Sequence, residues 1–358
     1  MPMARPRTPR LNRPALARTW RTRGASVLMA LCAAMGSAAL HAQTPTPGFT
    51  LVFAGDTTLD ADAGALVARG LDPFQHVAPL LADADVRIAN LECVVATVGT
   101  PGAKFYTFRA HPRVLPVLRR HFDGVTLANN HSGDYGPQAF AQMLSLLHAH
   151  GLGQAGGGMN LAQAHTPWLI ERAGLRIAIL SYNEFMPRSF EAGEATPGVA
   201  WSEDARVIDD IARARRVHRA DLVIPFMHWG WENERQANAR QRALARRMID
   251  AGADVVIGGH PHVTQEVELY QGKPIVYSVG NFVMKATDNA WQREGWVLRL
   301  RFDRAGAAAL STQVVRLDAR GIPRPDRQQS SPCWQRGDAS PGACVVAPGA
   351  VWPQRDPR

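Results

Sequence analysis

The sequence has almost no net charge outside its first 42 residues. The 358-residue chain carries a formal charge of +9, but residues 1–24 contain seven arginines and no acidic residue, and subtracting those seven leaves +2 for the remainder. A protein that binds nucleic acid through its phosphates needs a basic surface, which this remainder does not supply. The composition therefore argues against a nucleic-acid partner.

Long hydrophobic segments are also scarce. The one such segment is residues 25–40, "ASVLMALCAAMGSAAL", which is shorter than the roughly 20 residues that span a bilayer. It follows the arginine-rich segment and precedes "HA", a pattern that predicts a signal peptide over residues 1–42 with cleavage near Ala42. The mature protein is therefore expected in the periplasm or outside the cell, or anchored to the membrane if the segment stays uncleaved.

Cysteine is rare, with four in the whole chain, and Cys32 lies inside the predicted signal peptide. Cys333 and Cys344 flank a ten-residue polar segment, "WQRGDASPGA", and are predicted to form a disulfide in an oxidising compartment. Cys93, in "NLECVV", is expected to be a small buried hydrophobic residue rather than a reactive thiol.

Short apolar segments that end in polar residues recur along the chain. They are "FTLVFAGD", "DVRIANLE", "DGVTLANN", "LRIAILSYNE", "DLVIPFMHWG" and "ADVVIGGH". Each is typical of a strand buried on both faces, and helical segments separate them, one of which is expected to begin at Ser202. Two hairpins, "WLIERAGLRIAIL" and "QEVELYQGKPIVYSVG", indicate a second sheet. The pattern predicts an α/β protein built as a four-layer α/β/β/α sandwich.

The segments on either side of this pattern differ from it in composition. Residues 43–49 are predicted to be a linker, and residues 50–318 to be one domain that ends in two antiparallel strands. Residues 319–358 are rich in Pro, Arg, Gln and Ser with little periodicity. They are expected to form an irregular tail, held partly by the predicted disulfide.

Polar side chains stand at the ends of the predicted strands. They are Asp56, Asn90 with Glu92, Asn129 with Asn130 and His131, His228, and His260 with His262. Because the carboxyl ends of strands meet at one edge of an open α/β sheet, we expect these side chains to lie close together. Their oxygen and imidazole donors suit divalent metals such as zinc, manganese and iron, and their number indicates two neighbouring ions.

Each of these residues also has a structural interpretation. Asp56 could belong to a turn or cap a helix, and His228 lies among apolar residues and could be an ordinary core histidine. The pair His260 and His262 is more specific, because alternate residues of an extended segment point the same way. Both imidazoles are therefore predicted to face one site.

Seven short motifs in a fixed order resemble one family. The motifs "GD", "NLE", "YTFRAHP", "ANNHSGDYG", "HWGWE", "GGHPHV" and "YSVGNF" resemble the poly-γ-glutamate capsule-synthesis proteins of the CapA type, which are similar to calcineurin-like metallophosphoesterases. The resemblance runs from Leu51 to Phe282. It implies a metallophosphoesterase-like four-layer sandwich, an anionic polymer or phosphoester substrate, and membrane-bound capsule synthesis proteins as partners.

The resemblance also implies roles for individual residues. Two divalent ions, manganese, zinc or iron, would be held by Asp56, Glu92 as a bridging carboxylate, Asn130, His228, His260 and His262. His131 would protonate or steady the leaving group, and Asp134 would orient it, while Arg109 and Asn129 would contact substrate. Arg109 could equally form a structural ion pair. The wider pattern has a histidine at the position of Thr58. Its absence here would weaken one metal site.

Three functions are compatible with these residues. The first is a metal-dependent hydrolase of the phosphoesterase type in capsule or envelope metabolism, favoured by Asn130, His131 and the two closing histidines. The second, favoured by Thr58, is a non-catalytic factor that binds polymer during capsule synthesis or export. The third is a γ-glutamyl amide hydrolase or transferase.

Overall fold

Buried strands alternate with helices along residues 48–186 and 188–355, the part of the chain that the computed structural model describes. The predicted signal peptide, residues 1–42, and most of the predicted linker lie outside these ranges. Phe49, which the sequence assigned to the linker, already begins the first strand and is fully buried. Within the described ranges, no helix is both long enough and apolar enough to cross a bilayer.

The strands are short, with few exceptions. In chain order they are β1 (Phe49–Thr57), β2 (Val86–Leu91), β3 (Val94–Val95), β4 (Arg109–Ala110), β5 (Gly124–Thr126), β6 (Gly153–Ala155), β7 (Gly157–Gly158), β8 (Trp168–Arg172), β9 (Leu175–Asn183), β10 (Gly198–Val199), β11 (Leu222–His228), β12 (Val256–Gly259), β13 (Val267–Tyr270), β14 (Lys273–Val276), β15 (Asn281–Val283), β16 (Glu294–Asp303), β17 (Gly306–Leu317), β18 (Pro323–Pro325), β19 (Ser331–Gln335), β20 (Gly342–Val345) and β21 (Gln354–Arg355). The α-helices are α1 (Ala61–Ala68), α2 (Ala78–Ala82), α3 (Leu115–His121), α4 (Gly136–Ala149), α5 (Leu161–Ala164), α6 (Asp204–Arg216) and α7 (Ala239–Asp250). Residues Pro112–Val114 and Arg188–Phe190 form 3₁₀ turns.

Two large sheets contain most of the strands. The first sheet has the order β21-β20-β19-β17-β16-β1-β2-β5-β6, with β15 beside the end of β1 and β18 beside β17. The second sheet has the order β13-β14-β12-β11-β9-β8. Strands β1, β2, β5 and β6 are parallel in the first sheet, as are β9, β11, β12 and β14 in the second. The carboxyl ends of each parallel set therefore share one sheet edge.

Three apolar clusters hold four layers together. Phe53 of β1 packs between the sheets and stacks on Phe226 of β11 at 4.9 Å between ring centroids. Val52, its neighbour in β1, points to the opposite face and packs under α1 to α4. Met227 of β11 packs under α6 and α7 on the outer face of the second sheet. Alternation along buried strands thus produces the four-layer α/β/β/α sandwich, and this prediction is confirmed.

The helix ends agree with the sequence in one case and differ in another. In α7, Asn238 and Gln241 form a reciprocal capping box, and Gly252 follows the helix at φ 115. Helix α6 was expected to be capped by Ser202, but Glu203 occupies the cap position without a side-chain hydrogen bond. The Ser202 hydroxyl donates to Glu184 Oε2 at 3.2 Å instead, because a loop from the neighbouring strand offers a charged acceptor.

Both predicted hairpins are present. Strands β8 and β9 pair around Ala173 (φ 52) and Gly174 (φ 71), and strands β13 and β14 pair around Gln271 (φ 51) and Gly272 (φ 73). Two consecutive left-handed residues give the tight turn whose twist matches that of the flanking strands.

The C-terminal segment is not the irregular tail that its composition indicated. Strands β18 to β21 extend the first sheet beyond β17. A strand can pair through its backbone at a sheet edge without alternating apolar and polar residues. These strands therefore could not be recognised from their polar sequence. The predicted disulfide is confirmed: Cys333 and Cys344, with Cα atoms 5.8 Å apart, join β19 to β20. Cys93 is fully buried, as expected, and burial raises the pKa of its thiol.

Candidate metal centre

The predicted metal ligands leave their strands at one place between the two sheets. Asp56 lies near the end of β1, Glu92 follows β2, His228 ends β11 and His260 follows β12. The two sheets meet directly here, since the His260 backbone N–H donates to Asp56 Oδ2 at 3.1 Å. The structure therefore brings together side chains that are as many as 206 positions apart in the sequence, from Asp56 to His262.

A break in strand register aims Asp56 into the site. The pairing of β1 with β2 shifts between Ala54 and Asp56, so the side-chain alternation changes at Gly55. An added Cβ at Gly55 would lie 1.9 Å from the Gly280 carbonyl oxygen. The Asp56 N–H donates to that same oxygen at 3.0 Å. Only glycine allows the two backbones to approach this closely beneath the site.

Two overlapping groups of side chains could each hold a metal ion. One consists of Glu92, His228 and His260, and the other of Asp56, Glu92 and His262; in each group the ligand atoms lie within 4.8 Å of one another. Glu92 belongs to both groups, with Oε1 3.3 Å from His228 Nε2 and 3.9 Å from His262 Nε2.

The polar atoms in these groups fit a cation. Both carboxylate oxygens of Glu92 and both ring nitrogens of His260 are buried and have no hydrogen-bond partner among the described residues. A buried polar atom without a hydrogen-bond partner is costly to the fold, so such atoms normally bind an ion or an ordered group. Carboxylate and imidazole donors together suit zinc, manganese or iron. The residues present therefore fit a divalent metal.

The two closing histidines converge through a strained turn rather than an extended segment. His260 has φ 93 and His262 has φ 57, both in the left-handed region that non-glycine residues rarely occupy. The expectation of extended alternation is therefore wrong, although the imidazoles do lie near each other, with ring centroids 5.9 Å apart. Strain of this kind persists where surrounding contacts impose it, and it is concentrated at functional sites.

The two imidazoles differ in charge. Burial lowers the pKa of His260 well below its usual value, and the neighbouring imidazoles act in the same direction. Burial also acts to lower the pKa of His262, but Glu92, Asp56 and Asn281 outweigh it and raise the pKa to about 10. His262 Nδ1 lies 2.9 Å from Asn281 Oδ1 and 3.3 Å from Asp56 Oδ2. Without a metal, His260 is thus neutral and His262 is a cation at neutral pH.

Two asparagines orient the ligand side chains. Asn90 Nδ2 donates to Asp56 Oδ1 at 2.8 Å, and Asn130 Oδ1 lies 2.8 Å from His228 Nε2. The Asn130 amide oxygen therefore reaches the same ligand cluster, where the sequence placed it. Such supporting contacts hold the orientation of the ring and of the carboxylate before an ion arrives.

His131 and Asp134 form a hydrogen-bonded pair beside the cluster. His131 Nδ1 lies 2.7 Å from Asp134 Oδ2, and the ring packs on Phe108 with 4.4 Å between centroids. Lys104 Nζ donates to Asp134 Oδ1 at 2.5 Å and to the Asn130 carbonyl at 2.7 Å. Because Asp134 accepts the Nδ1 proton, Nε2 is the atom left to exchange a proton with a ligand.

A cavity of about 260 Å³ connects this pair to the ligand cluster. Its walls include both His131 and His262, together with Glu232, Lys285 and Tyr106. Lys285 Nζ lies 5.2 Å from the centre of the Tyr106 ring. A ligand in this cavity can contact His131 and His262 at the same time.

Two predicted substrate-binding residues, and Thr58, make contacts within the protein. Arg109 is exposed, stacks on Tyr135 at 4.2 Å and donates to loop carbonyls rather than forming an ion pair with a described residue, and its contact with substrate stays a prediction. Asn129 is 1% exposed, and its amide bonds Leu91 O, Asn90 and the His131 N–H, so it is not presented to substrate as predicted. Thr58 is buried, with Oγ1 3.3 Å from the Val283 carbonyl.

Lys104 and Asn281 contact the site residues but were not predicted from the sequence. Lys104 lies in a loop with no regular spacing to Asp134, so only the folded structure could show their contact. Asn281 lies within the motif "YSVGNF", which is the one signal that could have identified it.

Comparison with known proteins gives a consistent family. The family model described as "Bacterial capsule synthesis protein PGA_cap" matches residues 50–286. The "PGA biosynthesis protein CapA" of Bacillus subtilis (strain 168) is 34% identical over 230 residues, which are 63% of this chain and 59% of that protein. The "Capsule biosynthesis protein CapA" of Bacillus anthracis is 30% identical over 253 residues, or 68% of this chain and 61% of that protein. The chain thus spans about three fifths of the length of these curated relatives.

Solved structures give more distant matches. A hypothetical protein from Thermus thermophilus aligns with a TM-score of 0.47 and 16% identity over 74% of this chain and 98% of that one. The NAD nucleotidase of Haemophilus influenzae aligns with a TM-score of 0.42 and 12% identity over 78% and 60%, respectively. The family model covers well over half of the chain, from the start of β1 to the loop after β15, and on that basis the chain belongs to the bacterial capsule synthesis protein family PGA_cap.

Proposed function

We propose that the chain is a metal-dependent hydrolase of the phosphoesterase type that acts in capsule or envelope polymer metabolism. The observation that carries this proposal is Glu92, a buried carboxylate that belongs to both potential metal sites and whose oxygens have no hydrogen-bond partner among the described residues. The description of the relatives as capsule biosynthesis proteins supports the polymer context. Two ions and the nearby Lys285 would favour an anionic substrate.

The ligands divide between two ions of manganese, zinc or iron. Glu92, His228 and His260 would hold one, and Asp56, Glu92 and His262 the other. When bound, such a pair supplies a nucleophile from water at neutral pH and neutralises charge on a phosphoryl group. Asn130 would add an amide oxygen close to His228.

His131 is placed to protonate the leaving group. Asp134 holds Nδ1, so a proton on Nε2 can pass to the departing oxygen while Asp134 stabilises the imidazolium. Lys104 holds Asp134 in that orientation through its other carboxylate oxygen. His131 and His262 line the same cavity. A leaving group beside His131 and a phosphoryl group beside His262 would therefore lie in that cavity together.

The test combines metal content with turnover. The full chain, purified without chelator and reloaded with manganese, zinc or iron, is expected to hold two ions by elemental mass spectrometry and to hydrolyse bis(p-nitrophenyl) phosphate. Glu92→Gln should lose metal and activity, whereas Glu171→Gln, an exposed control in β8, should keep both. Full metal content in Glu92→Gln, or a loaded wild type without hydrolysis, contradicts the proposal.

A second candidate is a polymer-binding factor without turnover. It is favoured by Thr58, which occupies the position of an expected ligand but uses its hydroxyl to bond the Val283 carbonyl. A loaded protein that binds polyglutamate and hydrolyses neither phosphoester nor polymer would support it. Release of glutamate from the polymer would instead indicate the γ-glutamyl amide hydrolase.

We also propose that the chain is exported. The pattern of residues 1–42 supports export, and the Cys333–Cys344 disulfide suits an oxidising compartment. Protein recovered from the periplasm or the medium should begin near residue 43 by intact-mass analysis. A chain found in the cytoplasm with its N-terminal segment intact would contradict export.

A further inference from the structure

A second cavity, of about 640 Å³, lies on the first sheet and shares no residue with the metal centre. Arg299 and Arg301 alternate along β16 and therefore point to the same face. The register places Ser311 opposite Arg299, and Cys333 opposite Ser311. Trp352 packs on this face, with the Arg299 guanidinium 5.2 Å from the centre of its ring.

Two hydrogen-bond donors at this cavity have no acceptor among the described residues. The Arg301 side chain is exposed and makes no hydrogen bond or ion pair with any residue of the described ranges. Trp352 Nε1 is buried and likewise has no acceptor there. Arg299 donates to the Asp83 carbonyl at 2.7 Å, and Asp83 supplies the one carboxylate among the lining residues. A ligand rich in acceptor oxygens would satisfy the remaining donors.

The electrostatics point the same way. Burial lowers the pKa of Arg299; the carboxylates of Asp83 and Asp85 oppose this effect, and the positive charge of Arg301 adds to it. Two like charges on one face repel each other, and an anion between them would remove that repulsion. Arginine and indole N–H groups are strong donors to carboxylate and phosphate oxygens.

We propose that this cavity is a binding site for an oxyanion, a carboxylate or phosphate group of an acidic polymer or of a small anion. The Arg301 guanidinium pairs with the anion, and Trp352 Nε1 donates a hydrogen bond to it. Arg299 packs against the Trp352 ring and is held by its bond to the Asp83 carbonyl. The site is separate from the metal centre and does not depend on hydrolysis.

The test follows the indole N–H signal of Trp352 in the ¹⁵N-labelled full chain, identified by its loss in Trp352→Phe. Titration with oligo-γ-glutamate or with inorganic phosphate should shift this signal until saturation. Arg301→Gln should weaken binding about tenfold, as expected for one hydrogen bond to a charged group. The control Arg327→Gln removes the same charge at an exposed residue outside the cavity, and should bind as the wild type does.

The comparison of ligands distinguishes the sources of the oxyanion. Tighter binding of oligo-γ-glutamate than of phosphate identifies a polymer carboxylate, and the reverse order identifies a phosphate group. An indole signal unmoved by both ligands overturns the proposal, as do equal affinities in Arg301→Gln and Arg327→Gln. Anion binding lost in His228→Ala but kept in Arg301→Gln would place the anion at the metal centre and also overturn it.

Discussion

Metal binding is expected to strengthen as the pH rises, because His262 must lose a proton before it can bind an ion. Burial opposes protonation of His262, but Glu92, Asp56 and Asn281 outweigh it and raise the pKa to about 10 in the metal-free protein. A metal ligand is a neutral imidazole, so metal and proton compete for the ring. The pKa of His260 is lowered well below its usual value, so this ring is already neutral and has no proton to lose when an ion binds.

The size of the effect follows from the distance to that pKa. Below the pKa of His262, each pH unit adds about 1.4 kcal/mol to the free energy required to remove the proton. Between about pH 7.5 and about pH 8.5, the association constant for Mn²⁺ should therefore rise about tenfold. The direction of the change follows from the raised pKa of His262. At low pH the protonated ring cannot bind the ion, and at high pH the neutral ring can.

Calorimetry can measure both the affinity and the proton. Mn²⁺ is titrated into the metal-free full chain in buffers of equal pH and different ionisation enthalpy, which gives the number of protons released. Nearly one proton should come from His262 on binding. In His262→Asn binding should be weaker and should lose this pH dependence. An affinity that stays constant over this range in the wild type, with no proton released, would refute the reasoning.

Three further predictions concern single side chains. His228→Ala should lose tight metal binding while keeping its circular dichroism spectrum; metal content equal to that of the wild type would remove His228 from the ligand set. His131→Ala should keep its metal and lower kcat by about 10²- to 10⁴-fold, and unchanged phosphodiester turnover would exclude it as the acid. Replacing Cys333 and Cys344 by serine should lower the free energy of unfolding by about 3 kcal/mol, given the short loop that they close. Urea denaturation with identical midpoints would contradict that value.

The layered fold was predictable because its buried strands can be recognised in the sequence. Buried parallel strands such as β1 and β11 are continuous apolar segments with polar ends, and the hairpin turns contain glycine at the required positions. Strands β18 to β21 gave no such signal, since they lie at a sheet edge and pair through backbone atoms. Their presence depends on β17 and on the Cys333–Cys344 link, which are tertiary features.

The convergence of the candidate ligand side chains was predictable for the same reason, but their geometry was not. Asp56, Glu92 and His228 lie where strands end, and strand ends converge. The turn through His260 and His262 depends on left-handed backbone angles, which cannot be predicted from histidine residues. Arg109 shared a motif with the site yet stacks on Tyr135 outside it, because a motif records proximity in sequence rather than the direction of a side chain.

The left-handed backbone at His260 and His262 also limits how this centre can be lost during divergence. At φ 93 and φ 57, glycine, asparagine and aspartate are tolerated with little strain, whereas alanine or a β-branched residue is disfavoured. If the proposed metal site were lost in a descendant, glycine at positions 260 and 262 would keep the turn and remove both ligand side chains, whereas asparagine and aspartate would keep an oxygen donor there.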